Sequence, residues 1–295
     1  MYSYHLQNLK SALASVICAH TTPAAYDWLN EKIESVQNAS QLNATFVVLP
    51  RKTGKSPVRL NKEQSETISK IRPNLIIKDW AVDRVARVWL LLHTDATDTE
   101  KYFRTIENLF PAAEVNELIA LYSSLPILAY QEKWTARCSE GIRNNIADVL
   151  KAIMCNNPYP SENLNEAAWN QMVLKAFFTE KPIQEIIGLD ERANEKLATT
   201  LSDYAHERWA AHREVNPLLW RCVGPFIDEQ MLPDIEKLFT SHNEVERKAA
   251  ALAAYNSNFS AARKLLSEKD TAEIRDGKLS WEILAQNNND YVLQQ

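Results

Sequence analysis

Glycine is the scarce residue of this chain: five occur in 295 positions. Two-residue hairpins rely on glycine to reach positive φ cheaply, so a chain with so few has little means of turning antiparallel strands. Ala, Leu, Glu and Lys, which propagate helix, are abundant instead. The expected fold class is all-α. Helix pairs repeat loosely across 190–268 without a strict period, and such pairs bury their apolar faces only by stacking on their neighbours. The expectation is therefore antiparallel helix pairs forming a HEAT-like α-solenoid, with 1–295 as one helical-repeat domain, a basic loop at 50–57 and a polar tail at 270–295.

Taken in order, Leu6, Leu9, Leu13, Val16 and Ile17 have helical spacing. Thr22-Pro23 reads as a cap followed by proline at the first helical position. Thr45 to Leu49 is expected to end a helix rather than form a strand, because nothing nearby pairs with it. Pro50 to Pro57 reads as a loop. Its Gly54-Lys55-Ser56 has the ending of a phosphate-binding loop, but the glycine that motif needs five residues earlier is Leu49. Asp79 to Leu92 reads as a helix with Asp83 and Arg87 at i,i+4 on its one polar face. Thr97 to Glu100 reads as a capping box. Glu132 to Met154 is expected to be helical and to end at Asn156-Asn157-Pro158-Tyr159-Pro160, where two prolines stop the chain. Ser161 is the expected cap of the helix after that turn.

The next segment has the densest apolar pattern. Trp169, Met172, Val173, Ala176 and Phe177 make one stripe, with Leu174 and Phe178 making a second. A helix apolar on most sides is expected to be buried, which turns Asn170, Gln171 and Lys175 into a polar seam in need of partners. A helix from about Arg192 to His212 comes next, with Leu197, Leu201, Tyr204, Ala205 and Trp209 expected inward. Asn216-Pro217, Pro233 and Asn243 open further helices, and the Ala-rich one after Asn243 permits close packing. The tail carries one amphipathic patch near Trp281, Ile283 and Leu284.

Several classes are excluded by composition. A net charge of −5 and a pI near 5.8 argue against a nucleic-acid partner. The longest apolar run, Val88 to Leu92, is too short to span a bilayer, and Met1 to Lys10 lacks the basic start of a secretory signal. Cys18, Cys138, Cys155 and Cys222 form no Cys-x-x-Cys pair and read as buried free thiols of a cytoplasmic protein. No metal spacing and no hydrolase elbow occur, so neither metal nor cofactor is expected. Asp203 and His206, at i,i+3, have the pattern of a carboxylate orienting a general base, and equally that of a solvated helix face. Lys175 is a Schiff-base candidate if desolvated, and otherwise an ion-paired lysine.

From Asn156-Asn157-Pro158-Tyr159-Pro160 through Ala167-Ala168-Trp169-Asn170-Gln171-Met172, the chain resembles the EboA family of bacterial ebo clusters. The resemblance continues at Gly188-Leu189-Asp190, at Asp203-Tyr204-Ala205-His206-Glu207-Arg208-Trp209, at Leu219-Trp220-Arg221-Cys222 and, upstream, at Glu140-Gly141-Ile142-Arg143-Asn144-Asn145. It is dense from about Ala113 to Phe226. The resemblance implies a place in a small biosynthetic and export pathway for a secondary-metabolite precursor, with other proteins of that pathway or a small-molecule metabolite as partners. No catalytic residue carries over from the family. The shared motifs nominate Arg143, Asn144, Asn157, Tyr159, Asn170, Lys175 and Arg221 as ligand-binding residues. Two functions are expected on these grounds: a helical-repeat adaptor or small-molecule-binding protein, or an enzyme using Lys175 and His206/Asp203 as acid–base groups.

Overall fold

In the computed structural model, residues 1–35 and 38–292 are described. They hold eighteen α-helices and no strand; one isolated bridge joins Pro57 to Ala81. The chain divides into two compact units, Met1–Ala168 and Trp169–Gln295.

The first unit contains α1 (Leu6–His20), α2 (Pro23–Ser35), α3 (Ala39–Thr53), α4 (Lys62–Ile71), α5 (Val82–Leu91), α6 (Thr99–Glu107), α7 (Val115–Ser124), α8 (Thr135–Arg143), α9 (Ala147–Met154) and α10 (Tyr159–Asn163). α5 is its centre, packed against α1, α3 and α7, and α7 in turn packs on α9. α5 is buried nearly all round, so the expected polar face of Asp83 and Arg87 is not solvated. Arg87 Nη1 donates to Asp83 Oδ2 at 2.7 Å, and Nη2 stands 3.7 Å from Glu117 Oε1 on α7. A buried guanidinium survives only with such partners.

α3 corrects the loop expected from Pro50: the helix runs through Pro50 and ends at Thr53, with Gly54 at φ 75° turning the chain. Proline in a helix leaves the carbonyl four residues back without its donor. Here that carbonyl belongs to Phe46, and Arg87 Nε donates to it at 3.0 Å. The Thr45–Leu49 stretch is helical, as expected. Three further boundaries differ. Asp98, not Thr97, caps α6 by accepting from Lys101 N. The 132–154 helix is broken between α8 and α9, where Asn144 Oδ1 accepts from Ile146 N. Ser161 does not cap; its hydroxyl donates to Pro158 O inside α10.

α11 (Glu166–Phe178) starts at the end of the first unit and supplies the second from Trp169 onward. α12 (Glu195–Ala210), α13 (Leu219–Val223), α14 (Leu232–Phe239), α15 (Glu244–Asn256), α16 (Ser260–Arg263), α17 (Glu268–Arg275) and α18 (Trp281–Val292) complete it. α15 is the core of this unit: Ala249 to Ala254 are all buried, and α13, α14 and α18 pack on it. A Cβ at Gly224 would come within 3.0 Å of the Ala253 backbone. The small residues thus do permit the close approach expected of them. The 270–295 stretch is not loose where described: Trp281, Leu284 and Ala285 of α18 are buried. Residues 293–295 lie outside the described residues.

Candidate ligand cleft

Of the two apolar stripes on α11, the first is buried throughout, but Phe178 is 71% exposed. Leu174 and Phe178 fall on the same side as exposed Gln171 and half-buried Lys175, so one face of this helix meets solvent and the buried-seam expectation is corrected. Partial burial lowers the Lys175 ammonium from its ordinary value. Asn170 is held by a reciprocal amide pair with Asn194, at 3.0 and 2.9 Å. Asn194 also caps α12 by accepting from Leu197 N. That leaves the Asn170 amide locking two helices together.

Apart from Arg143, the remaining candidates also have structural partners. Asn157 is buried, its amide nitrogen donating to Tyr122 O and Ala152 O while its oxygen accepts from Tyr159 N. It fastens the turn that Asn156 opens at φ 52°. Tyr159 donates to Gln131 O at 2.6 Å, and burial raises its phenol well above the ordinary range. Arg143 is exposed at the end of α8, and Asn144 forms the turn between α8 and α9. Arg221 makes a two-pronged pair with Asp190, both bonds 2.6 Å, and lies 3.2 Å from Glu282 of α18. Burial opposes its charge, yet Asp190 and Glu282 hold it above the ordinary value. Two of the family-like motifs, around Asp190 and around Arg221, are therefore joined by one ion pair.

His206 does not turn to Asp203, which is exposed. Its Nε2 lies 2.7 Å from Oδ1 of Asp234 on α14, and Ser202 donates to the other oxygen at 2.7 Å. Asp234 is buried. A carboxylate only accepts, so the imidazole donates to it from Nε2, and in the neutral ring Nδ1 is then the acceptor. Ser202 and His206 share the carboxylate rather than bonding each other, which is not the relay of a nucleophilic serine.

A cleft of about 460 Å³ opens beside this pair, lined by Trp209, Glu214, Lys237, His242, Asn243 and Glu246 among others. Three elements build it. The C-terminal end of α12 supplies Trp209, stacked on Trp220 with centroids 5.8 Å apart and tilted from His206 at 5.9 Å. α14 buries Asp234, Ile235 and Leu238 and so projects Lys237 outward. The turn into α15 is fixed by Asn243, which accepts from Val245 N, and by Ser241, which donates to Glu246 and accepts from Asn243 N. The Lys237 ammonium sits 3.6 Å over the Trp209 ring. Among the described residues no carboxylate pairs with it.

Trp209 was expected inward with the α12 core, whereas it is half-exposed at the cleft wall. Sequence reasoning missed Lys237 and His242 altogether, and read Asn243 as the cap of α15, which it is, without placing it on a cleft. The available signal was the proline at 233, which opens a short amphipathic helix whose exposed face carries Lys237 at i+4.

The chain matches the family model described as "Metabolite traffic protein EboA" over residues 9–224. Trp209 and Glu214 lie inside that span, and the other cleft residues come after it. No curated protein and no solved structure matches. A match over most of the length is membership, and the chain belongs to the EboA family of metabolite traffic proteins.

Proposed function

We propose that this chain is a small-molecule-binding protein that holds a planar, anionic metabolite of its pathway in the Trp209–Lys237 cleft. One observation carries the reading: a half-exposed indole and an ammonium that has no carboxylate partner among the described residues stand together on the wall of a cleft. Its volume of about 460 Å³ lies in the range that small-molecule sites occupy. An aromatic face supplies apolar area, and a cation on a flexible stem supplies orientation. The hydrogen-bonding groups of Asn243 extend the polar side.

Packing of α12 with α13 and of α14 with α15 supports HEAT-like helix pairs around this site. The four free cysteines suit a cytoplasmic, reducing location. The role in the pathway is to hand the metabolite on for export, with other proteins of the pathway as partners.

The test is tryptophan fluorescence titrated with 2-naphthoate, a probe with one planar ring system and one carboxylate. Saturable quenching is expected, and Lys237→Gln, which removes an exposed charge without touching the core, should weaken it about tenfold or more. Absence of quenching in the folded wild type refutes the cleft.

A second reading is supported by the 2.7 Å pair of His206 and Asp234: an enzyme in which His206 Nδ1 takes a proton from the bound metabolite. His206→Gln would then abolish turnover while leaving naphthoate affinity unchanged.

A further inference from the structure

We propose that the face formed by α2, α3 and residues 54–62 is a docking surface for an anionic lipid bilayer. Between Ala39 and Lys62 the chain carries Arg51, Lys52, Lys55, Arg59 and Lys62 and no acid, although its net charge is −5. All five cations are exposed. Lys62 has Glu66 at 3.8 Å, but Arg51, Lys55 and Arg59 have no carboxylate partner among the described residues.

This is an ordered surface, not a frayed basic tail. Val58 is buried; its N–H donates to Trp80 O at 2.8 Å, and Val82 N donates to Ser56 O at 2.9 Å. Arg59 N donates to His20 Nε2 at 3.0 Å, and Thr53 Oγ donates to Leu49 O. The segment is therefore clamped at both ends, and its cations are displayed without an ordering cost at the moment of binding.

Apolar and aromatic groups are interleaved with the charge. The Lys52 ammonium lies 5.6 Å from the centre of the half-exposed Trp28 ring, and Lys32 lies 6.0 Å from it. Val47, one helical turn before Arg51, is 48% exposed. Lysine and arginine around an exposed tryptophan and a small apolar residue is the composition that sits at a headgroup boundary. The acids of α2, Asp27, Glu31 and Glu34, fall on a separate strip of that helix from Trp28 and Lys32. A nucleic acid would be attracted by the same cations, but a phosphodiester backbone gains nothing from Val47. No helix among the described residues is long and apolar enough to cross a membrane, so the attachment is peripheral and reversible.

The experiment is co-sedimentation of the full chain with vesicles rich in phosphatidylglycerol, with pure phosphatidylcholine vesicles and with a short duplex RNA as comparisons. Binding is expected to the anionic vesicles alone and to be lost at high salt. Each cation near a charged surface is worth roughly fivefold in partitioning. The triple variant Arg51→Gln, Lys55→Gln, Arg59→Gln should then lose on the order of a hundredfold, with its melting temperature unchanged because all three side chains are solvated. Val47→Ser should weaken binding severalfold at constant charge. A wild-type chain that stays in the supernatant, that binds neutral vesicles equally, or that binds RNA in preference to vesicles overturns the proposal. So does a triple variant that partitions like the wild type.

Discussion

Arg87 is the residue whose loss should damage the first unit most. It is 2% exposed, and its carboxylate partners Asp83 and Glu117 are 4% and 5% exposed. Burial pulls its guanidinium down against the opposing pull of those two carboxylates. Arg87→Met keeps the bulk and removes the charge. Breaking one side of a buried ion pair costs about 3–5 kcal/mol, because the other side stays behind uncompensated. The Phe46 carbonyl also loses its donor, a further penalty of about 1–3 kcal/mol. The sum is comparable with the whole stability of a small domain. The second penalty has a specific remedy. Pro50→Ala restores an N–H aimed at the Phe46 carbonyl, and in the Arg87→Met background it should recover about 1–2 kcal/mol. In the wild type, where Arg87 already occupies that carbonyl, the same change should be worth about 1 kcal/mol less. The assay is urea unfolding of the four proteins of this double-mutant cycle, followed by far-UV circular dichroism. The reasoning is refuted if Arg87→Met costs under about 1 kcal/mol, or if Pro50→Ala has the same effect in both backgrounds.

Gly224→Ala should destabilise the second unit by about 1–3 kcal/mol, because the new methyl meets the Ala253 backbone, which has no rotamer to yield; a melting temperature at or above wild type would contradict this. His93 is held down to about 4, first by burial and then by Lys10. The unfolded chain therefore binds the extra proton first, and stability should fall as pH drops from about 6.5 towards 4. His93→Gln should flatten that slope in melts run across the window. Cys18 is exposed while Cys138, Cys155 and Cys222 are buried, and burial pushes the Cys138 and Cys222 thiols up to about 12. One thiol should react quickly with a chromogenic disulfide in the native state and the other three only on unfolding; two fast thiols would count against the fold.

The helical class was legible because it rests on local signals: scarce glycine, capping residues and apolar stripes such as Leu9, Leu13, Val16 and Ile17. The features that failed depend on residues distant in sequence. Pro50 reads as a helix stop until Arg87, far along the chain, supplies the missing donor. His206 has a carboxylate three residues away in Asp203, but the one it meets is on another helix, at Asp234. Phe178 looks like core because hydrophobicity says nothing about which side of a helix has a neighbour. Asn157 and Tyr159 stood out as unusual residues in a shared motif, and the structure gives each a backbone partner inside a tight turn. The cleft was illegible for the same reason: Trp209 on α12 and Lys237 on α14 share no pattern in the sequence.

The most direct test of the proposed function is the fluorescence titration with 2-naphthoate, carried out in parallel on the wild type, Lys237→Gln and Arg143→Gln. Arg143 is an exposed cation in the other unit, so its variant controls for unspecific attraction of the anion. Saturable quenching that Lys237→Gln weakens about tenfold and Arg143→Gln leaves intact is the predicted result. Quenching that both variants share equally, or none at all in a folded wild type, would contradict a binding role for the cleft.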